Sequence, residues 1–404
     1  MFHRQHRRNI TERAVAATFT MHQACFFPFI LACGVAVAAP PLTPEQRALI
    51  HAAPREVVVP GGQSRIRFEG TDYHGYYKCP YVQVLVNGQG PFTFVFDTGA
   101  SYTSLTTKVI DAAQVPLELD RGGYHDLVRV KSMTIGDVTL RDFVAVRDND
   151  FDVDGVLGFR TFGDRNITFD LQQRELTVSV EPFALPSAFE VPYDFSGFNV
   201  PLIPVLVGDT KVTMLIDTGD DAYAFEMRSA DLKGAKFEHA PVAAGTAQNG
   251  AQSQPTSVTT LASTVQFGPF TYRRPVVAIN DDLPVSDFGY EFLRHFRFEF
   301  VPARGVVVFQ PLFSGPPPPI RGERSPGFSV RLDSGEVKHV FAKSKAGRRG
   351  MQAGDKIASV DGHPIASFTH RTWDELIAGR NSIVVRWVHA GHAHTDSLPV
   401  AEVH

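Results

Sequence analysis

The sequence predicts a mainly β protein made of two similar lobes, with a smaller third domain behind them. Three observations carry that prediction. The tripeptide Asp-Thr-Gly occurs at Asp97-Thr98-Gly99 and again at Asp217-Thr218-Gly219, each time directly after an apolar run, Phe94-Val95-Phe96 and Met214-Leu215-Ile216. Ordinary residue usage gives one such tripeptide by chance in about one chain in ten, so two in matching surroundings are a repeat. The flanks repeat as well: Pro80 to Val86 corresponds to Pro201 to Val207, Ile135-Gly136-Asp137-Val138 to Phe267-Gly268-Pro269-Phe270, and Gly158 to Val178 aligns without a gap on Gly289 to Phe309. After Pro316-Pro317-Pro318-Pro319 the pattern changes and a separate domain begins.

The 404 residues suffice for two or three domains with sizeable cores. Hydrophobic residues make up 43% and charged residues 20%, as in ordinary globular proteins, and the net charge of -4 shows no basic footprint for nucleic acid.

Taken in order, the chain opens with Arg4, Arg7, Arg8 and Arg13, then an apolar run from Cys25 to Ala38 that ends in Ala36-Val37-Ala38. This reads as a cleaved secretory signal over 1–38 and predicts a periplasmic or secreted protein. The run is too short for a membrane span. Met21 is an alternative start, and Ile30-Leu31-Ala32-Cys33 is an alternative lipoprotein site anchored through Cys33. With Cys25 and Cys33 in the leader, Cys79 stands alone, so no internal disulfide is expected and a packed thiol is.

Residues 39–64 read as a tether or short helical pro-segment. From there short β-type runs are punctuated by Gly, Asn and Pro, and Asn87-Gly88 between Tyr81 to Val86 and Phe92 to Phe96 signals a hairpin. Lobe one is placed at 65–182 and lobe two at 183–310, followed by a Pro-rich linker at 311–326 and the third domain at 327–404, with a short helix at Thr372 to Leu376 and a late strand from Ser382 to Val388.

The Asp-Thr-Gly grammar has a physical reading. The buried strand aims the acid that follows it. The Thr98 and Thr218 hydroxyls can tie one turn to the other, while Gly99 and Gly219 permit a positive φ or a close backbone approach. Asp97 and Asp217 are the candidate catalytic pair, sharing one proton if the turns meet.

On these residues, 66 to 310 resemble the aspartic peptidases of the pepsin and retropepsin superfamily, in the form with two lobes in one chain. The resemblance implies a bilobal pepsin/retropepsin-like acid protease fold and an aspartic-type endopeptidase that needs no metal or cofactor. It also implies apolar-apolar-Gly support behind each turn. Val156-Leu157-Gly158 fits that role; Asp287-Phe288-Gly289 departs from it. Asp220 and Asp221 after the second motif depart as well, where the first has Ala100 and Ser101. These acids would either raise the pair's pKa or face solvent, and under the first reading Asp220→Ala lowers the upper limit of the active pH range. Gly122, Gly123 and Tyr124 in lobe one, and Gly245 to Ser257 in lobe two, are candidate flaps.

Residues 327 to 404 resemble a PDZ domain through Gly350-Met351-Gln352-Ala353-Gly354-Asp355-Lys356-Ile357 and Val360-Asp361-Gly362. That resemblance implies capture of protein or peptide C-termini by strand addition at Gly327 and Phe328. The expected partners are therefore a peptide or protein substrate and such C-termini, in a monomer with a pseudo-dimeric site. His389, His392 and His394 read as a polar turn, with no acidic ligand beside them to make a metal site. Two alternatives stay open: a non-catalytic peptide-binding scaffold on a degenerate peptidase fold, and a homodimeric peptidase that uses only Asp97.

Overall fold

The computed structural model describes residues 42–68, 78–122, 125–151, 153–195, 199–249, 252–341 and 343–402. The leader, and Gly123 and Tyr124 of the candidate flap, lie outside the described residues. Among those described, no helix is long and apolar enough to cross a membrane.

The protein is mainly β. Each lobe begins with the hairpin that the sequence predicts. Tyr81–Val86 pairs antiparallel with Gln89–Phe96, and Asn87 and Gly88 take φ of 49° and 80°, as a two-residue turn matched to strand twist requires. Leu202–Val207 pairs likewise with Thr210–Ile216. The second strand of each hairpin then gains a parallel partner, Gly155–Leu157 in lobe one and Ser286–Phe288 in lobe two. Eight strands form the sheet of lobe one and nine that of lobe two.

A third sheet is common to both halves. Its order is Phe189–Pro192, Val306–Pro311, Phe296–Val301, Asn166–Asp170, Glu175–Ser179, Gln63–Arg67. At the seam Phe169 lies opposite Phe298, their rings stacked at 5.0 Å. Phe292, Phe296, Phe298 and Phe300 are fully buried, which makes the Phe-rich stretch core. One apolar cluster runs from Ile66 through both lobes to Ile320. The rigid base so formed holds the two Asp-bearing strands in fixed relation.

The segment read as a tether or short helical pro-segment does hold a short helix, and over residues 42–64 it packs on lobe one. Thr43 caps helix Pro44–His51 in a capping box with Gln46, Leu42 and Ile50 are buried with Leu127, Val144 and Val146, and Glu56–Val58 pairs with the lobe-one sheet. Leu42 lies just before the N-cap and Ile50 is the one buried residue of the helix, too few apolar positions to mark a docked segment by sequence.

The C-terminal domain has its own core, including Phe328, Ile357, Val360, Val385, Trp387 and Leu398. A four-stranded sheet is covered by helix His370–Gly379, which Thr369 caps. Arg324–Ser325 pairs with Ala401–Glu402, so the domain starts within the expected linker. Among the described residues, Phe328–Val330 pairs with Val337–Val340 on one edge only. His389 and His392 lie on paired strands, and His389 Nδ1 sits 2.8 Å from Asp355 Oδ1; an acid does accompany it, brought close by the fold from 34 positions away.

Candidate active site

Both Asp-Thr-Gly turns sit where a hairpin strand leaves its sheet. Asp97 N–H donates to Leu157 O at 3.0 Å, and Asp217 N–H to Phe288 O at 3.0 Å, so the parallel partner strand fixes each acid's backbone. Each carboxylate then folds back on its own turn. Asp97 Oδ1 accepts from Gly99 N–H at 2.7 Å and Ala100 N–H at 3.1 Å; Asp217 Oδ1 accepts from Gly219 N–H at 2.7 Å and Asp220 N–H at 3.3 Å.

The threonines lock the turns together. Thr98 N–H donates to Thr218 Oγ1 at 3.0 Å and Thr218 N–H to Thr98 Oγ1 at 3.1 Å, while the hydroxyls donate across the interface, Thr98 to Ile216 O at 2.5 Å and Thr218 to Phe96 O at 2.8 Å. Both side chains are buried, so these bonds are made away from water.

Gly99 and Gly219 serve by their missing Cβ. Neither has a positive φ. A Cβ on Gly99 would lie 2.3 Å from Asp217 Oδ2, and one on Gly219 2.6 Å from Asp97 Cγ. Each glycine is thus pressed against the opposite acid, and the anticipated left-handed turn is not needed.

The structure therefore brings Asp97 and Asp217 together, within hydrogen-bonding reach of each other. Burial, then the charge of Asp217, pushes Asp97 well above the usual carboxylate range. Asp217 is raised by burial too, against the support of Asp97 and the backbone donors for its charge. The pair titrates as a unit and retains a proton to higher pH than an isolated acid.

The second turn differs from the first in its surroundings. Asp287 stands opposite Leu215 and Glu226, in the place that Val156 holds opposite Val95 and Ser104. It is 3% exposed, and burial, Asp220 and Glu226 push its pKa well up. Asp220 is half-buried, with its Oδ2 shielded from water and its charge felt by Glu226 and Asp217. Asp221 lies near Lys78, His370 and Asp374. Glu226 and Lys78 were not singled out by sequence reasoning, since nothing in their local pattern marks them. The thiol of Cys79 is packed as expected, and donates to Gly219 O at 3.4 Å.

The candidate flaps are unequal. Gly122 is exposed, with φ 85° and its N–H donating to Asp120 Oδ1 at 2.8 Å, in a short connection. The lobe-two stretch forms a long hairpin, Val242–Asn249 with Gln252–Thr260. In the C-terminal domain Gly327 has φ 95°, its N–H donates to Ser325 Oγ at 3.0 Å, and Phe328 is buried with its ring 6.4 Å from Trp373 of helix His370–Gly379.

Residues 82–164, lobe one from the first hairpin past Gly158, match the family model of the gag-polyprotein putative aspartyl protease. Residues 320–386 match that of the PDZ domain. The chain carries an aspartyl-protease-like domain and a PDZ domain. No curated protein matches it. The aspartyl-protease-like match holds the first Asp-Thr-Gly and its Val156-Leu157-Gly158 support; the second motif lies beyond it.

Proposed function

We propose that the chain is an exported aspartic-type endopeptidase whose two lobes supply one catalytic acid each, with a PDZ domain that binds peptide or protein C-termini. The observation that carries this reading is the reciprocal Thr98–Thr218 lock, which holds Asp97 and Asp217 face to face within one chain. It favours a monomer over a homodimer that pairs two copies of Asp97.

The pair shares one proton. Its ionised member takes a proton from a water lying between the carboxyls, and the oxygen of that water attacks the peptide carbonyl carbon. The protonated member donates to the carbonyl oxygen, giving a neutral tetrahedral diol without an acyl-enzyme. Collapse of the diol moves a proton to the leaving amine and regenerates the pair. Activity needs the singly protonated pair, so it falls once pH rises far enough to remove the shared proton; a mildly acidic optimum follows.

The PDZ reading is supported by the edge of Phe328–Val330 that has no strand partner among the described residues, with Phe328 near Trp373 of helix His370–Gly379, where strand addition would seat a peptide. The test is cleavage of a diverse peptide library by the full chain, Asp97→Asn and Asp217→Asn. Each substitution should reduce cleavage at least about 10³-fold. Loss with Asp97→Asn alone would point to the homodimer, and a wild-type chain that binds but never cleaves would point to the scaffold.

A further inference from the structure

Asp220, Glu226 and Asp287 converge behind the second Asp-Thr-Gly turn, where each offers a carboxylate oxygen and all three oxygens lie within 4.8 Å of one another. Asp287 and Glu226 are 3% and 5% exposed. Their bonds within the protein leave oxygens over. Asp220 Oδ1 accepts from Ala222 N–H at 2.8 Å and Glu226 Oε1 from Asn280 Nδ2 at 3.0 Å, but Asp220 Oδ2 and the buried Asp287 Oδ1 have no hydrogen-bond partner among the described residues. An acceptor buried without a partner is costly, and an anion more so.

The lobe repeat supplies an independent comparison. The same three positions in lobe one are Ala100, Ser104 and Val156, and there Ala100 packs on an apolar cluster that contains Val156. Three neutral side chains at the fold's own internal reference thus correspond to three acids aimed at one point. Two other buried acids do have a basic partner: Asp154 has Lys108 at 2.7 Å, and Asp126 has Arg147 at 3.1 Å. The groups that act most strongly on the trio are other acids, backbone N–H donors and Asn280.

We propose that Asp220, Glu226 and Asp287 form a binding site for a hard divalent cation of the Ca²⁺ class. An all-oxygen ligand set held on three separate segments suits Ca²⁺, which takes about 6–8 oxygens at about 2.3–2.6 Å in flexible geometry, better than Mg²⁺, which demands a near-ideal octahedron at about 2.0–2.1 Å. Gly289 keeps the site open, since a Cβ there would lie 2.2 Å from both Asp220 Oδ2 and Tyr223 O. The ion would offset two of the trio's three negative charges and brace the turn that presents Asp217, and it takes no part in the hydrolytic step. The site is independent of the proposed activity, because a non-catalytic chain would bind the ion equally.

The test uses the full chain stripped with a chelator, titrated with CaCl₂ and separately with MgCl₂, and followed by calorimetry and thermal unfolding. The expected result is one Ca²⁺ per chain with a rise in Tm, at least tenfold weaker binding in Glu226→Gln and Asp287→Asn, and weaker binding of Mg²⁺. Glu226→Gln retains the Asn280 contact and serves where Asp287→Asn does not fold. Absence of a Ca²⁺ response, or a response of equal size in the variants, overturns the proposal.

Discussion

Thr98 illustrates how much one hydroxyl holds. It donates to Ile216 O and accepts from Thr218 N–H, so Thr98→Val leaves two buried backbone groups unpaired at once. We expect a loss of about 2–4 kcal/mol in stability, measured by denaturant unfolding, and a lower kcat from a loosened pair. Asp148 gives a pH-dependent prediction. It is 3% exposed, and burial lifts its pKa to about 6. Its folded pKa therefore exceeds its unfolded one, so its contribution to stability is complete below about pH 4 and is lost as pH rises through about 6. Asp148→Asn should flatten the decline in Tm across that window. At this scale the two Asp-Thr-Gly motifs were legible because strand, acid and glycine are contiguous. Glu226 was not, because it reaches the site through the pairing of its strand with Ser286–Phe288, which no local pattern records.

The Asp-Thr-Gly turn is the element on which the site depends, and its tolerance is set by contact with its twin. Gly99→Ala would drive a methyl into Asp217 Oδ2. Displacing that carboxyl by about 1 Å should lower kcat by about 100-fold while KM changes little, which steady-state kinetics on a cleaved peptide would resolve. The two-residue hairpin turn at Asn87-Gly88 was legible, since its chemistry is local. The long hairpin Val242–Asn249 with Gln252–Thr260 was read as a candidate flap over Gly245 to Ser257 but without its strands, because its Gly, Gln and Ser content hides a strand signal that pairing with Val276–Ile279 makes good.

Across the whole molecule, Lys78 joins the peptidase-like lobes to the PDZ domain. Its ammonium pairs with Glu291 at 3.1 Å and Asp374 at 3.7 Å. Burial opposes its charge, but the surrounding acids outweigh that and hold its pKa above the ordinary lysine value. Lys78→Ala should free the PDZ domain, seen as cleavage of the 311–323 linker by an added protease roughly tenfold faster, as a loss of about 1.4 kcal/mol in coupling would give. The bilobal plan was legible from the repeat. The docking of residues 42–64 was not, because what holds them, the face of Leu127, Val144 and Val146, lies far along the chain.

The shared six-stranded sheet also constrains the order of synthesis. Strand Asn166–Asp170 meets its neighbour Phe296–Val301 only after more than a hundred further residues have left the ribosome. Until then a nascent chain carries Phe169 packed on Phe96 but without Phe298 and Phe300. Translation that stops after the first half would leave the edge of Asn166–Asp170 that Phe296–Val301 covers without its partner, an aromatic strand edge prone to aggregate.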